Sequence, residues 1–136
     1  MTPFLIDTHI WVWYINGSQA LKKSFKTLDN ALKNNTLFLS AISLWEIAML
    51  EEKKRITLGM PCIEWINQSL EKTHAQIAPI SPMIAVDSCN LPGKFHGDPA
   101  DRLIVATARI ENFTILTRDK QILAYSRQKY ISAASI

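Results

Sequence analysis

The chain has 136 residues, 48% of them hydrophobic and 20% charged, and a formal net charge of +3. That balance suits one globular domain over residues 1–136, able to bury a core and too weakly basic to demand an acidic partner. No stretch is apolar and long enough to span a bilayer, and the N-terminus lacks the basic-then-apolar layout of a signal peptide, so a cytoplasmic location and no membrane partner are expected.

In chain order, Phe4-Leu5-Ile6 predicts a strand closed by Asp7, with a short helix after it. Residues 19–33 carry Leu21, Phe25, Leu28 and Leu32 at helical spacing, and Leu37-Phe38-Leu39 predicts a second strand. A helix is expected over residues 43–54. Ser43 and Glu46 match a capping box there, while Ser40 could equally be the cap. A third helix covers residues 61–72. Ile77-Ala78-Pro79-Ile80 predicts a third strand, which Pro79 moves toward a sheet edge. A short helix starts near Pro82, a loop covers residues 90–97, and a helix runs over residues 99–111 behind Asp98. Thr114-Ile115-Leu116-Thr117 predicts the fourth strand, residues 121–125 a helical stretch, and Tyr130-Ile131 a fifth strand.

Strands alternating with helices imply an α/β fold, with a mostly parallel sheet of four or five strands covered on both faces. Ligands of such sheets bind beyond the carboxyl ends of the strands, where strand order reverses. Asp7 ends the first strand and Asp119 lies just beyond the fourth. If those strands are neighbours, both acids share one crevice.

Each acid also has a structural reading. Asp7, Asp98 and Asp119 each precede a helix and could be its N-cap, and Asp101 stands in a first turn, where an acid suits the helix dipole. Glu46 has Ile42, Met49 and Leu50 as helical neighbours, which implies partial burial and a need for a partner. Together the acids point elsewhere. Two carboxylates about 5 Å apart repel by roughly 3 kcal/mol at an effective dielectric near 20. Several at one point need protons or a cation, and Mg²⁺ or Mn²⁺ with oxygen ligands would supply it. Such an ion activates water and polarises a phosphoryl oxygen, so with basic residues nearby phosphodiester hydrolysis is the economical reading. Asp101 or Glu46 is the expected general base.

The four segments Leu5-Ile6-Asp7-Thr8-His9, Ser40-Ala41-Ile42-Ser43-Leu44-Trp45-Glu46-Ile47-Ala48, Asp98-Pro99-Ala100-Asp101-Arg102-Leu103-Ile104 and Leu116-Thr117-Arg118-Asp119 together resemble PIN-domain proteins, in particular the VapC-like toxins of type II toxin–antitoxin pairs. The resemblance covers nearly the whole chain. It implies a three-layer α/β/α fold and a Mg²⁺- or Mn²⁺-dependent endoribonuclease acting on RNA. It also implies a homodimer inhibited by a cognate antitoxin. The acids of the family carry over onto Asp7, Glu46, Asp101 and Asp119, with Asp98 as an additional acid. Thr8 and Thr117 match hydroxyl positions that support the acids, and with Arg102 and Arg118 they are the candidates for holding substrate. In one respect the chain departs: some relatives have Asn after Thr-Arg and the acid a few residues later. Here Asp119 follows Arg118 directly and Ile122 occupies the later region, which leaves open whether Asp119 touches the metal or acts through water.

A non-catalytic, metal-binding signalling domain of the receiver type is the alternative. It wants an acidic pair at the end of the first strand, where this chain has Asp7 alone. An aspartyl phosphatase would want Asp-x-Asp, which Asp7-Thr8-His9 lacks. Trp11, Trp13, Tyr14 and Trp45 are expected in core or dimer packing, with base stacking as the competing role. His9 and His96 are expected in structural or surface roles, with phosphate contact or proton transfer as the competing role, and Cys62 and Cys89, without C-x-x-C spacing, as reduced thiols.

Overall fold

The computed structural model describes residues 3–136. Leu5 and Ile6 have no exposed surface, yet they are successive residues of one strand and enter different core clusters. A strand buried on both sides belongs in the middle of a sheet. This one, β1 (Phe4–Ile6), pairs in parallel with β2 (Leu37–Ser40) on one side and β4 (Thr114–Thr117) on the other. Beyond β2 lies β3 (Gln76–Ala78), and beyond β4 lies β5 (Ser132–Ser135). The order is β3-β2-β1-β4-β5 and every pairing is parallel.

Helices cover both faces. After β1 come α1 (Thr8–Ile15), a 3₁₀ segment (Gln19–Ser24) and α2 (Phe25–Lys33). After β2 come α3 (Ala41–Glu52) and α4 (Cys62–Thr73), and after β3 come α5 (Pro82–Cys89) and α6 (Pro99–Glu111). Last is α7 (Lys120–Arg127), between β4 and β5. Ile6, Trp11, Leu28, Leu39, Ile47 and Trp65 form one core, and Leu5, Ile84, Ile104, Ile115 and Tyr125 the other. The result is the expected three-layer α/β/α arrangement. No helix among the described residues is long and apolar enough to cross a membrane.

Several elements differ from expectation in instructive ways. The helix expected over residues 19–33 is divided at Ser24 into 3₁₀ and α segments. The third strand stops at Ala78, because Pro79 cannot donate to a ladder, and β3 is indeed a sheet edge. The fifth strand is Ser132–Ser135 and not Tyr130-Ile131. Lys129 turns the chain with φ 67°, and Tyr130 then packs against Tyr125 at 4.9 Å between ring centres. The Ser43–Glu46 capping box does not form. Ser40, still extended at the end of β2, caps α3 by accepting the Ile42 N–H at 3.2 Å. That leaves Glu46 free of the helix start.

The loop before α6 is pinned at Gly93, whose φ is +65°. A Cβ there would lie 2.7 Å from the Tyr130 ring, so the conformation favours glycine and any side chain would have to displace that ring.

Candidate active site

The strand order reverses between β1 and β4, since β2 and β3 extend the sheet one way and β4 and β5 the other. The two strands lie side by side as the crevice argument needs: Ile6 is opposite Leu116, and the Asp7 N–H donates to the Leu116 carbonyl at 3.0 Å. Their carboxyl ends therefore deliver Asp7 and the Thr117-Arg118-Asp119 segment to one point.

Asp7 is both cap and site residue. Its Oδ1 accepts the Thr8 N–H at 2.8 Å, and its Oδ2 accepts the Thr117 hydroxyl at 2.6 Å. Burial raises its pKa, and the Thr117 hydrogen bond and the nearby His9 oppose that rise. Glu46 is also buried, and its Oε1 accepts the Thr8 hydroxyl at 2.5 Å. Thr8 Oγ1 is in turn 2.8 Å from Ser43 Oγ, so the serine expected as a cap supports the Thr8–Glu46 pair instead. Burial raises the Glu46 pKa too, and the Asp7 charge adds to it.

Asp101 is the third residue of α6 and lies close enough to Asp7 and Glu46 to feel their charges. Its carboxyl is pushed up to about 8, by burial first and then by Asp7, Asp98, Glu46 and Asp119. The four other candidate acids thus all act on Asp101. Asp98 is exposed, and its Oδ1 caps α6 by accepting the Asp101 N–H at 3.0 Å. Asp119 caps α7 through Oδ1, which accepts from the Gln121 and Ile122 N–H groups at 2.8 and 3.0 Å. Its own N–H donates to Thr117 Oγ1 at 2.9 Å.

The donor set is all carboxylate oxygen, and its buried members Asp7 and Glu46 have raised proton affinity and, among the described residues, no ion pair. A hard divalent cation answers both features. Among the described residues no three His, Cys, Asp or Glu side chains form a ready-made cage.

The remaining candidates divide. Thr8 and Thr117 have no exposed surface, so their hydroxyls serve the acids and present nothing to a substrate. Arg102 does not pair with Asp98 as the i, i+4 spacing suggests. Its guanidinium donates to the carbonyls of Ser88, Phe95 and His96 at 2.7, 3.0 and 3.2 Å. Arg118 is exposed beside Asp119, lies over the Trp13 ring at 5.7 Å and donates to the Ala20 and Ile136 carbonyls. Trp11 is core, as expected, whereas Trp45 is 57% exposed next to Glu46. Two histidines gain importance. Exposed His9 acts on both Asp7 and Glu46, and His96 Nε2 lies 3.3 Å from Asp101 Oδ2. Their positions two residues from Asp7 and Asp98 were the only hint in the sequence.

The PIN domain family model matches residues 4–128. The chain is 33% identical over 133 residues to Ribonuclease VapC22 of Mycobacterium tuberculosis (strain ATCC 25618 / H37Rv), covering 97% of this chain and 98% of that protein. Among solved structures, VapBC2 from Rickettsia felis bound to a DNA fragment from their promoter is similar with a TM-score of 0.71 and 21% identity, over 97% of each chain. DNA-bound VapBC from Salmonella typhimurium is similar with a TM-score of 0.67 and 15% identity, over 99% of this chain and 98% of that one. The matched span contains all five acids, and the chain belongs to the PIN domain family.

Proposed function

We propose that this chain is a divalent-metal-dependent endoribonuclease that hydrolyses RNA phosphodiester bonds as the toxin of a type II toxin–antitoxin pair. It works in the cytoplasm as one domain and takes Mg²⁺ or Mn²⁺. The observation that carries the reading is the convergence of five acids at the adjoining carboxyl ends of β1 and β4, where Thr117 bonds Asp7 at 2.6 Å and the others lie close enough to raise the Asp101 carboxyl. The similarity to Ribonuclease VapC22 supports RNA as substrate. Membership of the PIN family removes the receiver-like alternative.

Asp7, Glu46 and Asp101 would hold the cation, and Asp119 and Asp98 would add negative charge beside them. When bound, the ion lowers the pKa of its water and stabilises charge on the phosphoryl group. The chain's own residues do the rest. Thr117 and Thr8 fix the Asp7 and Glu46 carboxylates through hydrogen bonds of 2.6 and 2.5 Å. Asp101 or Glu46 would serve as the general base that takes a proton from the attacking water, burial having raised the proton affinity of both in the metal-free chain. Arg118 and Lys120 lie exposed on either side of Asp119 and offer positive charge to a phosphate backbone.

The partner is a cognate antitoxin, a reading supported by the fold shared with VapBC assemblies. Met83 and Val86 lie three residues apart on α5, 65% and 64% exposed, an apolar strip that suits a homodimer contact. Expression of the chain alone tests the biological role. Growth should slow, and purified protein should cleave RNA only until a chelator is added. Cleavage that persists in excess chelator would contradict the proposal.

A further inference from the structure

His96 is built into its place from several sides. Arg102, the residue after Asp101, grips the carbonyls of Phe95 and His96 itself, and ties the same loop to the Ser88 carbonyl at the end of α5. The Phe95 ring lies 4.3 Å from the His96 ring and meets Tyr125 edge-on at 5.1 Å. Tyr125 in turn donates its hydroxyl to the Pro92 carbonyl at 2.5 Å. A loop clamped at Pro92, Phe95 and His96 has little freedom to swing its histidine elsewhere.

The hydrogen bonds also set the ring's polarity. The Asp98 N–H donates to His96 Nδ1 at 3.3 Å. A neutral imidazole has one N–H, so an accepting Nδ1 assigns the proton to Nε2. Nε2 is hidden from solvent and makes no aligned hydrogen bond, while Asp101 Oδ2 lies 3.3 Å away. A buried N–H without an acceptor is costly, and a small turn of the Asp101 carboxylate completes the bond. Four carboxylates oppose the charge of Asp101, and His96 is the group that offers it a hydrogen.

We propose that His96 is a positioning residue, its Nε2–H holding the Asp101 carboxylate in its working orientation while Asp98, through its backbone N–H, fixes the ring. Asp98 thereby acts on Asp101 twice, by capping α6 and by setting the histidine tautomer. The inference rests on the reading of Asp101 as a site acid. Outer hydrogen-bond partners of ligating groups are worth about 10–100-fold in metal affinity or activity.

The test uses the full chain with three substitutions. His96→Phe keeps a ring against Phe95 and removes the N–H. His96→Gln puts an amide donor where Nε2 stands, and His96→Asn puts one where Nδ1 stands, out of reach of Asp101. RNA cleavage gives kcat and KM, and calorimetry with Mn²⁺ and no RNA gives metal affinity. His96→Phe is expected to lower kcat and Mn²⁺ affinity by about 10-fold or more with KM nearly unchanged, and His96→Gln to recover most of both. His96→Asn should fall with the Phe variant, so the Gln–Asn comparison decides if the Phe variant folds poorly. Equal behaviour of Gln and Asn, or wild-type Mn²⁺ affinity in the Phe variant, overturns the inference. Asp101→Asn, run alongside, separates the two readings: full Mn²⁺ binding and cleavage in that variant overturns the site itself, whereas its loss beside an unaffected His96→Phe overturns only the role of His96.

Discussion

The Thr117 hydroxyl donates to Asp7 Oδ2 at 2.6 Å and at the same time accepts the Asp119 N–H at 2.9 Å. One fully buried side chain thus joins the acid that ends β1 to the acid that follows β4. The sheet brings these strands together, and Thr117 ties the Asp7 carboxylate to the Asp119 main chain.

Thr117→Val keeps the volume and removes the hydroxyl. A buried carboxylate deprived of a donor costs about 1–3 kcal/mol, so urea unfolding should shift by that amount. RNA cleavage should drop by about 10-fold, because Asp7 loses the bond that orients it. Unchanged stability and activity would show that the hydroxyl has no part in the site.

Asp98 separates capping from direct contact with the ion. Its Oδ1 is already engaged by the Asp101 N–H, and asparagine caps a helix about as well as aspartate. Asp98→Asn should keep stability and lose only a few-fold in cleavage. Asp98→Ala should cost about 1 kcal/mol and lose more activity, since α6 then aims Asp101 less firmly. Equal, severe loss of activity in both variants would instead make the Asp98 charge itself essential.

Metal-free stability should fall as pH rises. Asp101 has a folded pKa of about 8 against an ordinary value of 3.8, and Glu46 and Asp7 are raised as well. Between those two values the folded state keeps a proton that the unfolded chain has lost. Stability therefore declines with pH across that window and is highest near its acid end. Melting curves in a chelator should show Tm falling from pH 5 toward pH 8, less steeply in Asp101→Asn. Added Mn²⁺ should raise Tm more at pH 8 than at pH 5, because only ionised carboxylates bind it. A metal-free Tm that is flat or rises over this range would contradict the electrostatic account of the site.

Light scattering tests the α5 strip. Replacing both Met83 and Val86, well exposed in the single chain, with Glu should convert the proposed dimer to a monomer. An unchanged mass would place the subunit contact elsewhere.

The central strands were legible because β1, β2 and β4 are buried on both faces or nearly so, which writes itself as short apolar runs. β5 lies two residues beyond the expected strand because Ser-Ala-Ala-Ser carries almost no apolar signal. Tyr130 and Ile131 are apolar for a different reason, packing beside the second core. The neighbouring of β1 and β4 could only be assumed, since residues 110 apart meet there through pairing that no local pattern encodes. Acids at strand ends and helix starts marked the site well. Their supports were harder to see. Arg102 and Asp98 have the spacing of a helical ion pair, and only the return of the loop at Phe95 and His96 gives the guanidinium better partners. The same fold-back places His96 on Asp101, which sequence separation alone does not suggest.

The most direct test of the account is cleavage of RNA by the purified chain across a Mn²⁺ titration, beside Asp7→Asn, Glu46→Gln and Asp101→Asn, each checked for native Tm. Cleavage that appears only with the metal, and is nearly abolished in all three folded variants, is the predicted result. Metal-independent cleavage, or wild-type rates in Asp7→Asn and Asp101→Asn, would contradict a carboxylate site at the junction of β1 and β4.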